Sequence, residues 1–266
     1  MVPVTVYFAV AGDIHGRWAG LAEDLRVAAD FLPPGAELSA VFQVGDAEPT
    51  ADDDQLAEVH HKPERRRLSD FADVLTGRIR FPAPVYFIGG NHEPWRTLDE
   101  NGGVIAGGAR LAPDVWFLGR AGHVHIAGID IAFLSGIRPP DGKPLRTWER
   151  ARSTDPRVHG YYSVEEVLRL CTAGTADIVL THDWPTGSAY VHKTAYVGDP
   201  AVRRALELVA PSASFHGHYH RSERFRTLGV DVFARGCFEQ GVPEAVAVFA
   251  FDEATRRVTP LPHVAA

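Results

Sequence analysis

Seven side chains suited to holding metal ions stand out in this chain, five of them next to a glycine: Asp13 and His15 in Gly12-Asp13-Ile14-His15-Gly16, Asp46 after Gly45, Asn91 in Gly90-Asn91-His92-Glu93, His182, and His218 and His220 in Gly217-His218-Tyr219-His220. Hard oxygens mixed with imidazoles suit divalent ions that activate water. Two such ions about 3.5–4 Å apart can serve both the nucleophile and the phosphoryl oxygens of a phosphate ester. A pair of ions needs a bridging carboxylate, and Asp46 is the natural bridge. Asp13 and His15, two residues apart on one loop, would complete one ion with His220; Asn91, His182 and His218 would complete the other. His218 and His220 alternate along extended chain, so they lean to one side and can each serve one ion. Glycines beside the ligands let the backbone turn sharply and let a phosphate approach.

These segments need strands to deliver them. Val4 to Ala11, Ala40 to Val44 and Val85 to Ile88 are β-rich runs that lead into the first three motifs, and Asp177 to Leu180 leads into Thr181-His182. Apolar residues at helical spacing predict a helix from Trp18 to Leu32, stopped by Pro33-Pro34, another around Glu64 to Leu75, and one from Ala201 to Val209. Ser163 with Glu166 three residues on is a capping-box start for a helix to Leu170. Short strands at 115–118, 123–127 and 129–134 read as an antiparallel meander that begins a second sheet. Further strands are expected at 224–227, 230–234 and 245–251. The fold class is α/β, with two stacked mixed sheets flanked by helices.

The bulk properties suit a single large α/β domain with ample material for a buried core. The chain has 266 residues, 45% of them hydrophobic, and a formal net charge of −7. That charge opposes binding through a diffuse positive surface, so substrate charge must be met locally. Cys171 and Cys237 fit no disulfide framework or zinc-finger spacing. A reducing, cytoplasmic compartment is expected. Met1 to Val10 lacks a basic leader and a cleavage site and reads as a first strand. No apolar run approaches the roughly 20 residues that cross a bilayer.

The ordered set Asp-x-His, Gly-Asp, Gly-Asn-His, a lone His and Gly-His-x-His resembles the calcineurin-like metallophosphoesterases. That resemblance implies a binuclear metal-dependent phosphoesterase, the ligand assignment above, and His92 as the acid that protonates the leaving oxygen. Tyr86 to Glu93, Gly107-Gly108 through Ala112-Pro113 to Phe117-Leu118-Gly119, Ala121-Gly122, Ser135-Gly136-Ile137 and Thr181 to Pro185 look like the catalytic domain of RNA lariat debranching enzymes. Those enzymes hydrolyse a 2′,5′-phosphodiester at a branch point. The reaction so implied is water attack on a phosphodiester at the two ions, in branched or single-stranded nucleic acid. Eukaryotic debranching enzymes commonly carry Cys where this chain has Asp13. A hard oxygen in place of thiolate shifts preference toward manganese or iron, or magnesium, and away from zinc. The serine/threonine protein phosphatases expect Asp-Arg-Gly soon after the second motif; Ala47-Glu48-Pro49-Thr50 stands here instead.

By this reading residues 1–258 form the metallophosphoesterase domain, and 259–266 a loose tail. An insertion at about 137–162 resembles the substrate-recognition loop of debranching enzymes. It holds Arg138, Arg146, Trp148 and Arg150, where an aromatic among cations could stack a base while its neighbours contact phosphates. The plainer reading is a solvated loop whose arginines pair with nearby carboxylates. Arg65-Arg66-Arg67 reads as a mixed-charge helix face. Glu93 and Asp183 should orient neighbouring groups, His216 reads as structural, and His60, His61, His159, His192 and His263 belong to no constellation. Two other functions are carried forward: a general esterase for small phosphodiesters, cyclic nucleotides or phosphomonoesters, and a non-catalytic scaffold, which would show eroded ligands.

Overall fold

The computed structural model describes residues 5–103, 108–143, 145–172 and 174–262. Gly107, His263 and the end of the expected tail at 263–266 lie outside the described residues. The strands are β1 (Thr5–Ala11), β2 (Leu38–Gln43), β3 (Val85–Phe87), β4 (Ala109–Ala112), β5 (Val115–Phe117), β6 (Ala121–Ile126), β7 (Ile129–Leu134), β8 (Ile178–Thr181), β9 (Val191–His192), β10 (Ala195–Tyr196), β11 (Ala213–His216), β12 (Glu223–Thr227), β13 (Val230–Ala234), β14 (Val246–Asp252) and β15 (Arg257–Pro260). Seven of them form one sheet in the order β15-β14-β1-β2-β3-β5-β4, six form another in the order β12-β13-β11-β8-β7-β6, and β9 and β10 make a small hairpin.

Both large sheets are mixed. In the first, β1, β2, β3 and β5 run parallel, with β14 antiparallel to β1. In the second, β7, β8, β11 and β13 run parallel, with β6 and β12 antiparallel at the edges. Alternation along β1 explains the layering: Phe8 and Val10 face the second sheet, while Ala9 and Ala11 face the helix Trp18–Ala29. Phe8, Phe215, Phe233 and Phe249 lock the two sheets together, with Phe215 and Phe249 ring centres 4.9 Å apart. The helices Val164–Cys171 and Pro200–Val209 cover the outer face of the second sheet. The architecture is therefore helix, sheet, sheet, helix.

Several local expectations change. The meander is split: β5 joins the first sheet beside β3, and only β6 and β7 open the second. A short apolar run has the same pattern in either sheet, so its partner depends on tertiary packing. The helix expected around Glu64 to Leu75 is a 3-10 turn at Pro63–Arg65 and a short helix at Phe71–Leu75. The helix at Asp53–Glu58 and strands β4 and β11 are additional. The capping box is formed, with the Ser163 N–H donating to Glu166 Oε2 at 2.7 Å. β15 pairs Thr259 with Ala250 and Pro260 with Phe249, so the first part of the expected tail is sheet.

Candidate metal centre

Parallel strands aim their carboxyl ends at the same edge, and here two sheets do so side by side. β1 delivers Asp13 and His15, β2 delivers Asp46, and β3 delivers Asn91 and His92; β8 delivers His182, and β11 delivers His218 and His220. Backbone bonds tie these loops pairwise: the His15 N–H donates to the Asp46 carbonyl at 2.9 Å, and the Gly217 N–H to the His182 carbonyl at 3.1 Å. Gly90 is required by closeness, since a Cβ there would lie 2.1 Å from Asp46 Oδ1 and 2.7 Å from His182 Nε2.

Asp13, His15, Asp46 and His220 bring ligand atoms within 4.8 Å of one another, a grouping able to hold a metal ion. His15 Nε2 and His220 Nε2 are 2.9 Å apart, and His220 Nε2 is 3.1 Å from Asp13 Oδ2. On the other side of Asp46, His182 Nε2 lies 3.4 Å from its Oδ2. His182 Nδ1 donates to the Val44 carbonyl at 2.7 Å, which fixes the tautomer and leaves Nε2 as the free lone pair. Both His182 Nε2 and Asn91 Oδ1 are buried without a hydrogen-bond partner. Buried polar atoms normally find partners. A cation would satisfy such orphans of ligand type, one beside the buried Asp46 carboxylate and the other on the residue before His92, whose N–H donates to Asp46. The ring of His218 sits 5.1 Å from that of His182, and its backbone N–H donates to Asp13.

The electrostatics ask for the same positive charge. Burial would lower the His182 pKa, but the Asp46 and Asp13 carboxylates outweigh it and raise it to about 10. At His15 burial is again outweighed, here by the hydrogen bond to Glu48 and the Asp46 charge, giving about 9. Asp46 is held well below the usual carboxylate range by His182 and His92 despite its burial. Burial and the charge of His182 push His218 down to about 3, a neutral imidazole. A divalent cation would supply the charge these carboxylates demand and leave the histidines neutral, as ligands must be. The residue set fits such ions.

Supporting residues hold the first set. Glu93 accepts N–H bonds from Ala47 at 2.9 Å, Glu48 at 2.8 Å and Gly90 at 3.1 Å, so it orients backbone. Burial and then the Asp46 charge push its carboxyl up to about 8, against the pull of those three donors. Glu48 and His61, which no sequence motif marks as site residues, enter here. His15 Nδ1 donates to Glu48 at 2.6 Å, and His61 Nε2 lies 2.9 Å from the other Glu48 oxygen. The carboxylate thereby orients His15 with Nε2 toward Asp46. His61 stacks on His92 with ring centres 4.4 Å apart, and His92 Nδ1 donates to the His60 carbonyl at 2.7 Å. The one sequence hint was position, since Glu48 lies two residues beyond Asp46. His216 is structural, buried between Thr181 and Ser214 with its pKa pushed down to about 3 by burial.

The segment at 137–162 differs from the reading that makes it a gripping loop. It contains helices at Thr147–Arg152 and Pro156–His159. Arg150 is buried and forks onto Glu166, with Nη1 to Oε2 at 2.6 Å, and also donates to the Tyr161 carbonyl. Arg146 pairs with Glu165 at 3.1 Å, and Trp148, 57% exposed, lies under Arg152. Arg138 lies elsewhere, its N–H 3.5 Å from Asp183 Oδ2. Arg150→Ala should therefore act on stability, costing about 3 kcal/mol by stranding the buried Glu166 charge. Denaturant unfolding checks this, and a variant of unchanged midpoint would contradict the structural role.

The family model for calcineurin-like phosphoesterase matches residues 6–222. The chain belongs to that family. Among curated proteins it is similar to the lariat debranching enzyme of Caenorhabditis briggsae, at 27% identity over 239 residues covering 80% of this chain and 46% of the relative. It is also similar to that of Homo sapiens, at 28% identity over 80% of this chain and 41% of the relative. The chain thus spans less than half the length of these relatives. Among solved structures, TT1561 of Thermus thermophilus shares the fold, with a TM-score of 0.55 at 14% identity, covering 96% of this chain and 98% of that one. Among the described residues, no helix is long and apolar enough to cross a membrane.

Proposed function

We propose that this chain hydrolyses phosphodiesters in nucleic acid at a two-ion centre, in the manner of a lariat debranching enzyme. The observation that carries the reading is the cluster of Asp13, His15, Asp46 and His220 together with two buried ligand-type atoms that have no hydrogen-bond partner, His182 Nε2, 3.4 Å from Asp46 Oδ2, and Asn91 Oδ1. Asp46 would be shared; Asp13, His15 and His220 would hold one ion, and Asn91, His182 and His218 the second. Oxygen-rich ligation favours manganese or iron. When bound, the ions would polarise the phosphoryl oxygens and activate water at neutral pH.

The chain's own residues complete the chemistry. His92 would be the acid, a role supported by its backbone N–H, which donates to Asp46 Oδ1 at 2.8 Å and fixes the backbone beside that carboxylate. With Nδ1–H committed to the His60 carbonyl, Nε2 is the ring nitrogen that would take up a proton to form the imidazolium and hand it to the leaving oxygen, against the burial that lowers the ring's pKa. Stacking on His61 keeps the ring from swinging away. The similarity to debranching enzymes supports a 2′,5′-linked or single-stranded nucleic acid as substrate.

The test is a panel with manganese-loaded protein: a branched 2′,5′ RNA, a linear RNA, a cyclic nucleotide and a simple monoester. Cleavage of the branched RNA is expected, and activity on the monoester alone would sink the proposal. In the same assay His92→Asn should lower turnover by about a hundredfold with its metal content intact. Full activity in that variant would remove His92 from the acid role.

A further inference from the structure

Beside the metal centre lies an open cleft of about 800 Å³ that His15, Glu48, His92 and His220 share with the long-chain cations Arg17, Lys62, Arg65 and Arg67. A lone phosphate would not need so large a space. All four cations are exposed, and among the described residues no carboxylate lies within salt-bridge distance of any of them. In a chain of net charge −7 such a group is unusual. The carboxylates that share the cleft are mostly engaged elsewhere. Glu48 is bonded to His15 and His61, Asp70 accepts from the Trp18 and Ala19 N–H groups, and Glu239 accepts from the Cys237 thiol. Among the described residues of the cleft Glu64 alone is an unengaged carboxylate, and none of the cleft's four carboxylates reaches the four cations, whose charged ends are left facing the open space.

The arginines at 146, 150 and 157 give the contrast, because each is neutralised by Glu165, Glu166 or Asp155. Arg138, Lys143 and Arg152 of that segment are exposed and without a salt bridge among the described residues, but it is Arg17, Lys62, Arg65 and Arg67 that share the cleft with His15, His92 and His220. This group is also tied to the centre. Arg17 follows His15 by two residues, its guanidinium rests 4.4 Å above the Phe238 ring, and the Phe238 N–H donates to the Asp13 carbonyl at 3.0 Å. Stacking restrains the guanidinium while its N–H edges stay free for phosphate oxygens. Lys62 follows His61, the residue stacked on His92.

We infer that Arg17, Lys62, Arg65 and Arg67 grip the backbone phosphates of a single-stranded nucleic acid whose scissile linkage sits at the metal centre. This deepens the diester reading above and rests on it. Recognition of this kind is through charge, so it is indifferent to base sequence.

The test measures binding of a fluorescent single-stranded phosphorothioate oligonucleotide by the manganese-loaded protein across a salt series. In the triple variant Arg17→Gln, Arg65→Gln, Arg67→Gln, affinity should fall by at least about tenfold, and the plot of log K against log salt should flatten by about 2, at roughly 0.7 per lost contact on single strands. Hydrolysis of a matching oligonucleotide should fall by at least about tenfold more than that of bis(p-nitrophenyl) phosphate. A circular-dichroism melt shared with the parent chain shows that the variant is folded. The inference is overturned if the parent chain does not bind the oligonucleotide, if the triple variant binds as tightly with the same salt slope, or if Arg146→Gln produces the loss instead. Failure of the diester reading shows separately, as metal-loaded parent protein that leaves bis(p-nitrophenyl) phosphate intact.

Discussion

Asp46→Asn is expected to lower turnover by about a thousandfold or more, the several kcal/mol of barrier that a Lewis-acid pair supplies. Asparagine is the informative replacement for two reasons. Asp46 has a left-handed backbone, φ 55°, which Asn tolerates better than Ala does. The amide oxygen can also keep the bond from the His92 N–H that Asp46 Oδ1 now accepts at 2.8 Å. What disappears is the negative charge between the His15 and His182 sides of the centre. Elemental analysis should then find fewer than two ions per chain. Two ions retained, with turnover near that of the parent, would contradict a bridging role for Asp46.

Glu93→Ala should produce the largest loss of stability, about 4 kcal/mol or more. The side chain is buried and accepts three backbone N–H groups, from Ala47, Glu48 and Gly90, on two different loops. Each donor left unsatisfied costs about 1–3 kcal/mol. Glu93→Gln keeps one carbonyl oxygen and should lose about half as much. Denaturant unfolding of the two variants checks the order; equal midpoints for Glu93→Ala and the parent would show that water replaces the carboxylate at no cost.

The sequence exposed the candidate ligands because each is announced locally. A β-rich run followed by a glycine and a polar residue is a strand end, and parallel strands place such ends together whatever their spacing in the chain. Glu48, His60 and His61 were illegible for the opposite reason. Their roles depend on a loop folding back over His92, which no periodicity records. The segment at 137–162 hid its helices because each is at most two turns long, too short for helical periodicity. The buried Arg150–Glu166 fork and the bond from Arg120 to the His159 carbonyl hold them in place. The charge of Arg65 and Arg67 was visible, but the side of the molecule it serves was not.

The centre joins residues that are far apart in the chain: His15 meets His220 across 205 positions, and Asp13 meets His218 across the same span. During synthesis the first half of the ligand set emerges well before the second half exists, and β14, which flanks β1 in the first sheet, follows later still. Until β11 has been made and docked, Asp13 and His15 face no partner from the other sheet. A nascent chain therefore lacks the complete ligand set, which is assembled only with the closing of the last long-range contacts.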